Sequence, residues 1–178
     1  MGGGGDSSLA VLDSDQMTTL ESPELTRARA DHTDAFTTRL RVRYAETDAA
    51  GVVYYGNYLT YFEVARVELL RALDMPITQV EARGLLMPVV EAGVKYLRPA
   101  RLDDLLDVSL RIRSVGPASF AFDYEIHRDD GLLLATGWTR MAVCEREQGR
   151  CVPMPSWLRE LFARVPEVRG DGEGRDES

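Results

Sequence analysis

The chain has 178 residues, of which 44% are hydrophobic and 28% charged, a composition that suits one globular domain with a buried core. The formal net charge is −8, but residues 1–35 contribute −5 and residues 169–178 contribute −2, so the middle of the chain is nearly neutral. This distribution excludes the basic footprint of a nucleic-acid-binding protein. No apolar run reaches the roughly 18 residues of a membrane-spanning helix, which excludes membrane insertion.

The two ends of the chain are predicted to lie outside the folded domain. Residues 1–35 are rich in Gly, Ser, Thr and Asp without a hydrophobic period, which predicts a disordered leader. They lack the basic and apolar segments of a secretory signal, so we expect a cytoplasmic protein. Residues 166–178 are polar and charged and predict a flexible acidic tail. The domain is therefore expected at residues 36–165.

The domain begins with a strand and one long helix. Alternation of apolar and polar residues from Leu40 onward predicts the strand. Apolar residues three and four apart predict a helix from about Asn57 to Leu73, with Asn57 as its N-cap. Leu59, Val64 and Leu70 widen the apolar stripe, which indicates a helix that is buried on more than one side.

The second half of the domain has the period of two that is typical of β-strands. A strand from Leu85 to Leu97 contains Pro88 and Gly93 and is expected to bend. Three further strands are predicted near residues 106–113, 120–127 and 132–144, and a short helix follows from Pro155 or Ser156 to about Val165. A strand, a long helix and four antiparallel strands form an α+β domain. Its simplest architecture is a five-stranded sheet wrapped around a central helix.

The loop between the first strand and the helix contains the leading candidate for chemistry, Asp48. A carboxylate just ahead of a helix N-terminus lies near free N–H groups and partial positive charge, and it can serve as nucleophile or base. Asp also caps turns, and for an isolated Asp this structural role is the better interpretation. The glycines of the loop and the buried helix that follows favour the catalytic interpretation.

The neighbouring carboxylates are weaker candidates. Glu46 is interpreted as a solvated charge at the end of the strand. Glu63 is interpreted as a surface charge that pairs with Arg66 one helical turn later. The alternative for Glu63 is a buried carboxylate near the site.

Histidine, serine and cysteine chemistry is disfavoured. His32 falls in the leader and His127 at a strand end, where a surface position is expected. No Gly-x-Ser-x-Gly nucleophile elbow occurs. Cys144 and Cys151 have neither CxxC spacing nor a nearby histidine, so we predict a reduced pair rather than a disulfide, and no metal site.

Two stretches of the chain match a known family. The first is Tyr44-x-Glu46-Thr47-Asp48-x-x-Gly51-Val52-Val53-Tyr54-x-x-x-Tyr58, followed by Phe62-Glu63-x-x-Arg66. The second comprises MPVV at residues 87–90 and VKYLRPARLDD at residues 94–104. Together they resemble the 4-hydroxybenzoyl-CoA thioesterase branch of the hotdog-fold superfamily, and within it the acyl-CoA thioesterases associated with the Tol–Pal system. The resemblance covers roughly residues 36–165.

The resemblance implies a hotdog fold and hydrolysis of acyl-CoA thioesters. It implies that Asp48 is the catalytic carboxylate and that the backbone N–H of Tyr55, joined by that of Gly56, polarises the thioester carbonyl. The substrate-binding residues would be Gly51, Val52, Gly56 and Tyr58. Relatives often carry His where this chain has Tyr55, a change that keeps the backbone donor and removes the imidazole.

The resemblance also implies a homodimer or homotetramer with active sites at subunit interfaces. No cofactor is expected, because CoA enters as part of the substrate. Its phosphates would bind basic side chains, for which the candidates are Lys95, Arg98, Arg111, Arg113 and Arg128. Two alternatives remain, a non-catalytic acyl-CoA-binding protein of this fold and a hotdog dehydratase. The dehydratase is disfavoured because it needs a His that the central loop and helix lack.

Overall fold

The computed structural model describes residues 35–165. Residues 1–34 of the predicted leader, which include His32, lie outside the described residues. The predicted tail, residues 166–178, lies outside them as well. The elements of the described range are β1 (Phe36–Arg41), a single 3-10 turn (Tyr44–Glu46), α1 (Asn57–Ala72), α2 (Ile77–Ala82), β2 (Leu85–Leu86), β3 (Val89–Tyr96), β4 (Leu105–Val115), β5 (Ser119–Arg128), β6 (Leu133–Ala142), β7 (Cys144–Glu145) and α3 (Ser156–Phe162).

The predicted five-stranded antiparallel sheet is confirmed. Its strands lie in the order β1-β4-β5-β6-β3, so that β1 and β3 form the two edges. The central strands β4 and β5 alternate buried apolar and more exposed polar residues, because one sheet face packs on the core and the other meets solvent. Strands β2 and β7 form a separate small ladder.

Helix α1 packs against the apolar face of the sheet. The ring of Phe62 in α1 stacks on Tyr124 of β5 with 4.2 Å between ring centroids. Gly137 of β6 permits this approach, because a Cβ there would lie 2.5 Å from the Phe62 ring and 2.6 Å from the carbonyl oxygen of Gly93. Phe62 is fully buried, and burial of such a side chain stabilises the fold by about 2 kcal/mol.

Of the three residues that predicted burial of α1 on more than one side, only Leu70 is buried in a single protomer. Leu59 is 42% exposed and Val64 is 37% exposed. The helix packs on the sheet through its other side, where Ala65 and Leu69 are buried. The wide apolar stripe therefore leaves part of its surface uncovered.

The single strand predicted from Leu85 to Leu97 is also wrong, although the predicted bend is confirmed. The chain leaves β2 at Leu86 and enters β3 at Val89. Pro88 lies between them, where its missing N–H is tolerated, and its carbonyl oxygen accepts a 3.1 Å hydrogen bond from the amide of Ala142. The pairing of β3 with β6 shifts register between Val89 and Glu91.

None of the helices within residues 35–165 combines the length and the apolar character needed to cross a membrane.

Candidate active site

The loop between β1 and α1 carries Asp48 on a tight turn. The amide of Gly51 donates to the carbonyl oxygen of Asp48, and the amide of Asp48 donates to the carbonyl oxygen of Val52, each at 2.9 Å. Gly51 has a φ of +72°, a conformation that strains any residue with a Cβ. Glycine at this position therefore lets the chain reverse directly after Asp48.

The carboxylate of Asp48 is exposed, and one of its two oxygens is hydrogen-bonded. Its Oδ1 accepts a 2.8 Å hydrogen bond from the amide of Ala50, the pattern of an Asx turn. Within the described residues its other oxygen accepts no hydrogen bond. Asp48 is thus a turn cap and at the same time a carboxylate with an open oxygen, so the structural and chemical interpretations are compatible.

The start of α1 has two unpaired backbone donors. Neither the amide of Tyr55 nor that of Gly56 donates a hydrogen bond to any group in the described part of the chain. The next amide, that of Asn57, is paired with the carbonyl oxygen of Tyr54 at 2.9 Å. Free amides and the positive end of the helix dipole make this a place that favours negative charge.

The predicted N-cap is wrong by one residue. Gly56 is the N-cap and Asn57 is the first helical residue. The Asn57 side chain instead donates a 2.8 Å hydrogen bond to the carbonyl oxygen of Glu46. The reason is tertiary, because the loop brings that carbonyl close to the helix start.

Glycine at position 56 is favoured by a close contact and not by its backbone angle. Its φ of −64° is ordinary for any residue. A Cβ at Gly56 would lie 2.8 Å from the ring of Tyr54, which in turn packs on Tyr55 with 4.4 Å between ring centroids. The absence of a side chain keeps the helix start open beside these two tyrosines.

The interpretation of Glu46 as a solvated charge is wrong. Glu46 is only 7% exposed. Its carboxylate accepts hydrogen bonds from the Arg43 amide at 2.8 Å, from the Arg43 guanidinium at 2.6 and 2.8 Å, and from the Tyr61 hydroxyl at 2.9 Å. Burial acts to raise the pKa of Glu46, but the hydrogen bonds from Arg43 and Tyr61 together lower it below its ordinary value.

Glu46 also anchors the loop through its backbone. Its carbonyl oxygen accepts from the amide of Tyr54 at 2.9 Å in addition to the Asn57 side chain. One residue therefore joins the end of β1, the loop and α1, two positions before Asp48. The sequence signal for this role was the basic Arg43 three residues earlier, which alone does not reveal burial.

Two tyrosines, Tyr58 of α1 and Tyr96 of β3, support the start of α1. Tyr58 is buried, and its hydroxyl accepts a 3.1 Å hydrogen bond from the amide of Ala100. The Tyr96 ring packs edge-on against Tyr58 at 5.1 Å, and the Tyr96 hydroxyl donates a 3.0 Å hydrogen bond to the carbonyl oxygen of Tyr55. Sequence reasoning missed Tyr96.

The predicted site residues therefore gather around one end of α1. Asp48, exposed Gly51 and half-buried Val52 form the turn, and Tyr55 and Gly56 form the helix start. Tyr58 faces the core in the isolated protomer, where its hydroxyl is already hydrogen-bonded. A substrate-binding role for Gly51, Val52 and Tyr58 stays a prediction.

Glu63 is exposed, as its surface interpretation predicted. The predicted pairing with Arg66 is absent among the described ion pairs. Arg66 instead contacts the Tyr124 hydroxyl at 3.4 Å, and the i,i+3 ion pair of α1 joins Glu68 and Arg71.

The five basic candidates for CoA phosphates differ in their pairing. Three contact carboxylates: Arg111 with Glu125 at 4.0 Å, Arg113 with Asp123 at 3.3 Å, and Arg128 with Asp130 at 2.6 Å. Arg98 donates to the carbonyl oxygen of Leu133 at 3.3 Å and follows Tyr96 by two residues. Lys95 is exposed on β3.

Two cavities among the described residues bear on the site. One of about 310 Å³ lies between α1 and the sheet and is mostly apolar, with Val67, Leu70, Met87, Phe120, Phe122 and Phe162 in its wall. The other, of about 500 Å³, includes Lys95, Arg111, Asp123 and Trp138 and lies on the sheet face turned away from α1. Over residues 35–165, no group of three or more His, Cys, Asp or Glu side chains gathers as metal ligands.

Comparison with known proteins gives consistent results. The family model of the thioesterase-like superfamily matches residues 42–162. The acyl-CoA thioesterase YbgC of Haemophilus influenzae is 33% identical over 130 residues, which are 72% of this chain and 95% of that protein. A 1,4-dihydroxy-2-naphthoyl-CoA hydrolase of Thermosynechococcus vestitus is 29% identical over 74% of this chain and 91% of its own.

A solved structure supports the same grouping. The 1,4-dihydroxy-2-naphthoyl-CoA thioesterase Slr0204 of Synechocystis superposes with a TM-score of 0.68 at 27% identity, covering 74% of this chain and 97% of that one.

Proposed function

The chain belongs to the thioesterase-like superfamily, and from that premise we propose that it hydrolyses acyl-CoA thioesters to a free carboxylic acid and CoA. Its fold is the hotdog fold that the resemblance implied. The observation that supports the proposal best is one loop with a carboxylate at its start and two free backbone N–H donors at its end. Asp48 has an open carboxylate oxygen, and the amides of Tyr55 and Gly56 have no partner among the described residues.

The two amides are suited to hold the thioester oxygen. When a nucleophile adds to the carbonyl carbon, negative charge develops on that oxygen. The N–H groups of Tyr55 and Gly56 would donate to it at the positive end of α1. Each well-placed donor of this kind stabilises the transition state by about 3 kcal/mol.

Asp48 can act by two routes. As nucleophile, its oxygen bonds to the carbonyl carbon, the C–S bond breaks, and CoA leaves as thiolate. Water then cleaves the resulting mixed anhydride to regenerate Asp48 and release the acid. As general base, Asp48 takes a proton from a water molecule that attacks the carbonyl directly.

Single turnover in oxygen-18 water separates these routes. Label in the Asp48 carboxylate, or a mixed anhydride trapped there by hydroxylamine, would establish nucleophilic attack. If the Asp48 carboxylate gains no label and no adduct forms, the general-base route is the one that remains.

The decisive test of the function is thiol release from a panel of acyl-CoAs. Asp48→Ala and Asp48→Asn should lower kcat by at least about a thousandfold. Asp129→Asn is the matched control, because Asp129 is also an exposed loop carboxylate but lies in the β5–β6 hairpin. Near-normal activity of Asp48→Ala would refute the assignment. Binding of acyl-CoA without thiol release would indicate a non-catalytic binding protein. Hydration of an enoyl-CoA without thiol release would indicate a dehydratase.

The apolar cavity beside α1 favours an apolar acyl group. Its phenylalanine and methionine wall borders the later turns of α1, at Val67 and Leu70. Hydrophobic burial would raise kcat/KM as acyl groups lengthen until the cavity is filled. A panel from acetyl-CoA to dodecanoyl-CoA and benzoyl-CoA measures this preference, and a maximum at acetyl-CoA would contradict it.

We propose that the enzyme is at least a homodimer through β3. This strand forms a sheet edge, and Val90 and Tyr96 on it are about half exposed. A long, apolar, exposed edge can pair with a second copy and continue the sheet. Val90→Lys should shift the wild-type dimer or tetramer toward monomer in sedimentation velocity, and a monomeric wild-type chain would refute the proposal.

The reaction requires no cofactor in this proposal, since CoA is part of the substrate. We also propose a cytoplasmic location. Fractionation of cells with an antibody to the chain would test the location.

A further inference from the structure

We propose that Tyr96 is a positioning residue that orients one of the two oxyanion donors, the amide of Gly56. The inference rests on the proposed function and adds to it a role for a side chain on β3. Tyr96 lies 41 residues from Tyr55 in the chain, and its hydroxyl donates a 3.0 Å hydrogen bond to the carbonyl oxygen of Tyr55.

The bonded carbonyl belongs to the same peptide unit as the Gly56 amide. A trans peptide is planar, so its C=O and N–H point in opposite directions. When Tyr96 holds the Tyr55 oxygen, it also fixes the direction of the Gly56 N–H. A hydrogen bond to the carbonyl also polarises the peptide unit and strengthens its N–H as a donor.

The helix alone holds this peptide unit weakly. Apart from Tyr96, the Tyr55 oxygen accepts only a long 3.4 Å bond from the amide of Tyr58 among the described residues. The peptide unit before it is held better, because the Tyr54 oxygen accepts from the amide of Asn57 at 2.9 Å. The Tyr55 N–H is therefore oriented by the helix backbone, whereas the Gly56 N–H depends on Tyr96.

Tyr96 is itself held in place by packing. Its ring contacts buried Tyr58 edge-on at 5.1 Å, and the Tyr58 hydroxyl is fixed by the amide of Ala100. The carbonyl oxygen of Ala100 accepts a 2.9 Å bond from the amide of Val53 in the site loop. Burial, together with Tyr55, raises the pKa of Tyr96, so its hydroxyl keeps the proton that it donates.

The substitution Tyr96→Phe tests this role, because it removes only the hydroxyl and keeps the ring on Tyr58. Loss of one whole oxyanion donor costs about 100-fold or more, so loss of its orientation should lower kcat about 10- to 50-fold. KM should change less than about twofold, since the ground-state thioester gains little from this donor. Tyr44→Phe is the control, because Tyr44 is 81% exposed and its hydroxyl makes no hydrogen bond among the described residues.

The amide signals in a ¹H–¹⁵N spectrum separate this proposal from the proposed function. In Tyr96→Phe the Gly56 amide should shift and exchange faster with solvent, while the Tyr55 amide stays close to its wild-type position. An active wild type with unchanged kcat and unchanged Gly56 amide in Tyr96→Phe would overturn the positioning role. A wild type that hydrolyses no thioester would refute the proposed function, and the Gly56 signal would still decide whether Tyr96 orients that amide.

Discussion

The hydroxyl of Tyr61 in the second turn of α1 donates a 2.9 Å hydrogen bond to the buried carboxylate of Glu46. This contact joins the helix to the 3-10 turn that ends two residues before Asp48. Arg43 completes the group from the other side. The buried Glu46 carboxylate therefore helps to fix the position of Asp48, the candidate nucleophile.

Glu46→Gln should destabilise the protein by about 2 kcal/mol, because the amide cannot accept all the hydrogen bonds that Arg43 and Tyr61 donate. Urea unfolding of both proteins measures the change. Glu91→Gln is the control, since Glu91 forms only an exposed ion pair with Arg140 at 2.5 Å and should change stability by less than about 1 kcal/mol. Equal effects of the two substitutions would contradict the structural role of Glu46.

The same carboxylate should make stability depend on pH. The pKa of Glu46 is lowered in the folded state, so the unfolded chain binds a proton more readily. The free energy of unfolding should fall as the pH decreases below the ordinary glutamate value of 4.5. Urea titrations from pH 6 to pH 3 should show a shallower fall for Glu46→Gln than for wild type. A steeper fall in the variant would show the opposite linkage.

Gly137→Ala should destabilise the fold by about 2 to 3 kcal/mol through overpacking, because the new Cβ meets both the Phe62 ring and the backbone of Gly93. Thermal unfolding followed by circular dichroism measures the loss. Gly131→Ala is the comparison, since Gly131 has a φ of +83° but open space around it and should cost about 1 kcal/mol. A larger loss of stability in Gly131→Ala than in Gly137→Ala would show that the packing of α1 does not depend on the close approach of Phe62 to Gly137.

Gly51→Ala should affect activity more than stability. The position has a φ of +72° with no atom close to a new Cβ, so the strain of about 1 kcal/mol falls on the turn that carries Asp48. We expect kcat for thiol release to fall several-fold. Gly84→Ala imposes the same strain at a φ of +79° outside this loop and should leave kcat unchanged. Equal kcat values for the two variants would contradict this prediction.

The two thiols should differ in reactivity in the native protein. Cys151 is exposed and Cys144 is buried, so iodoacetamide should alkylate Cys151 within minutes and Cys144 only after unfolding. Peptide mass spectrometry with and without denaturant locates the label. Rapid native labelling of Cys144 would mean that the antiparallel bridge between Cys144 and Cys151 opens in the native protein.

The element order and the Asp48 loop could be predicted from the sequence, because both rest on local patterns. The period of two located β4, β5 and β6 closely, but it placed β1 too late in the chain, since β1 is Phe36–Arg41, and it joined β2 and β3 into one strand. The spacing of three and four located α1 to within one residue. The glycines near Asp48 mark a turn and a helix start within nine residues of one another. The first of the two family stretches includes this loop and could therefore be recognised without a structure.

The environment of the site was decided only by the tertiary structure. Glu46 looked solvated because its partner Tyr61 is 15 residues away. Tyr96 lies in the second family stretch, but its bond to Tyr55 could not be predicted because the two residues are 41 positions apart. The exposure of Leu59 also depends on which side of α1 meets the sheet, which apolar spacing alone does not specify. Periodicity reports what one element can bury, whereas burial and hydrogen-bond partners depend on which distant elements the folded chain brings together.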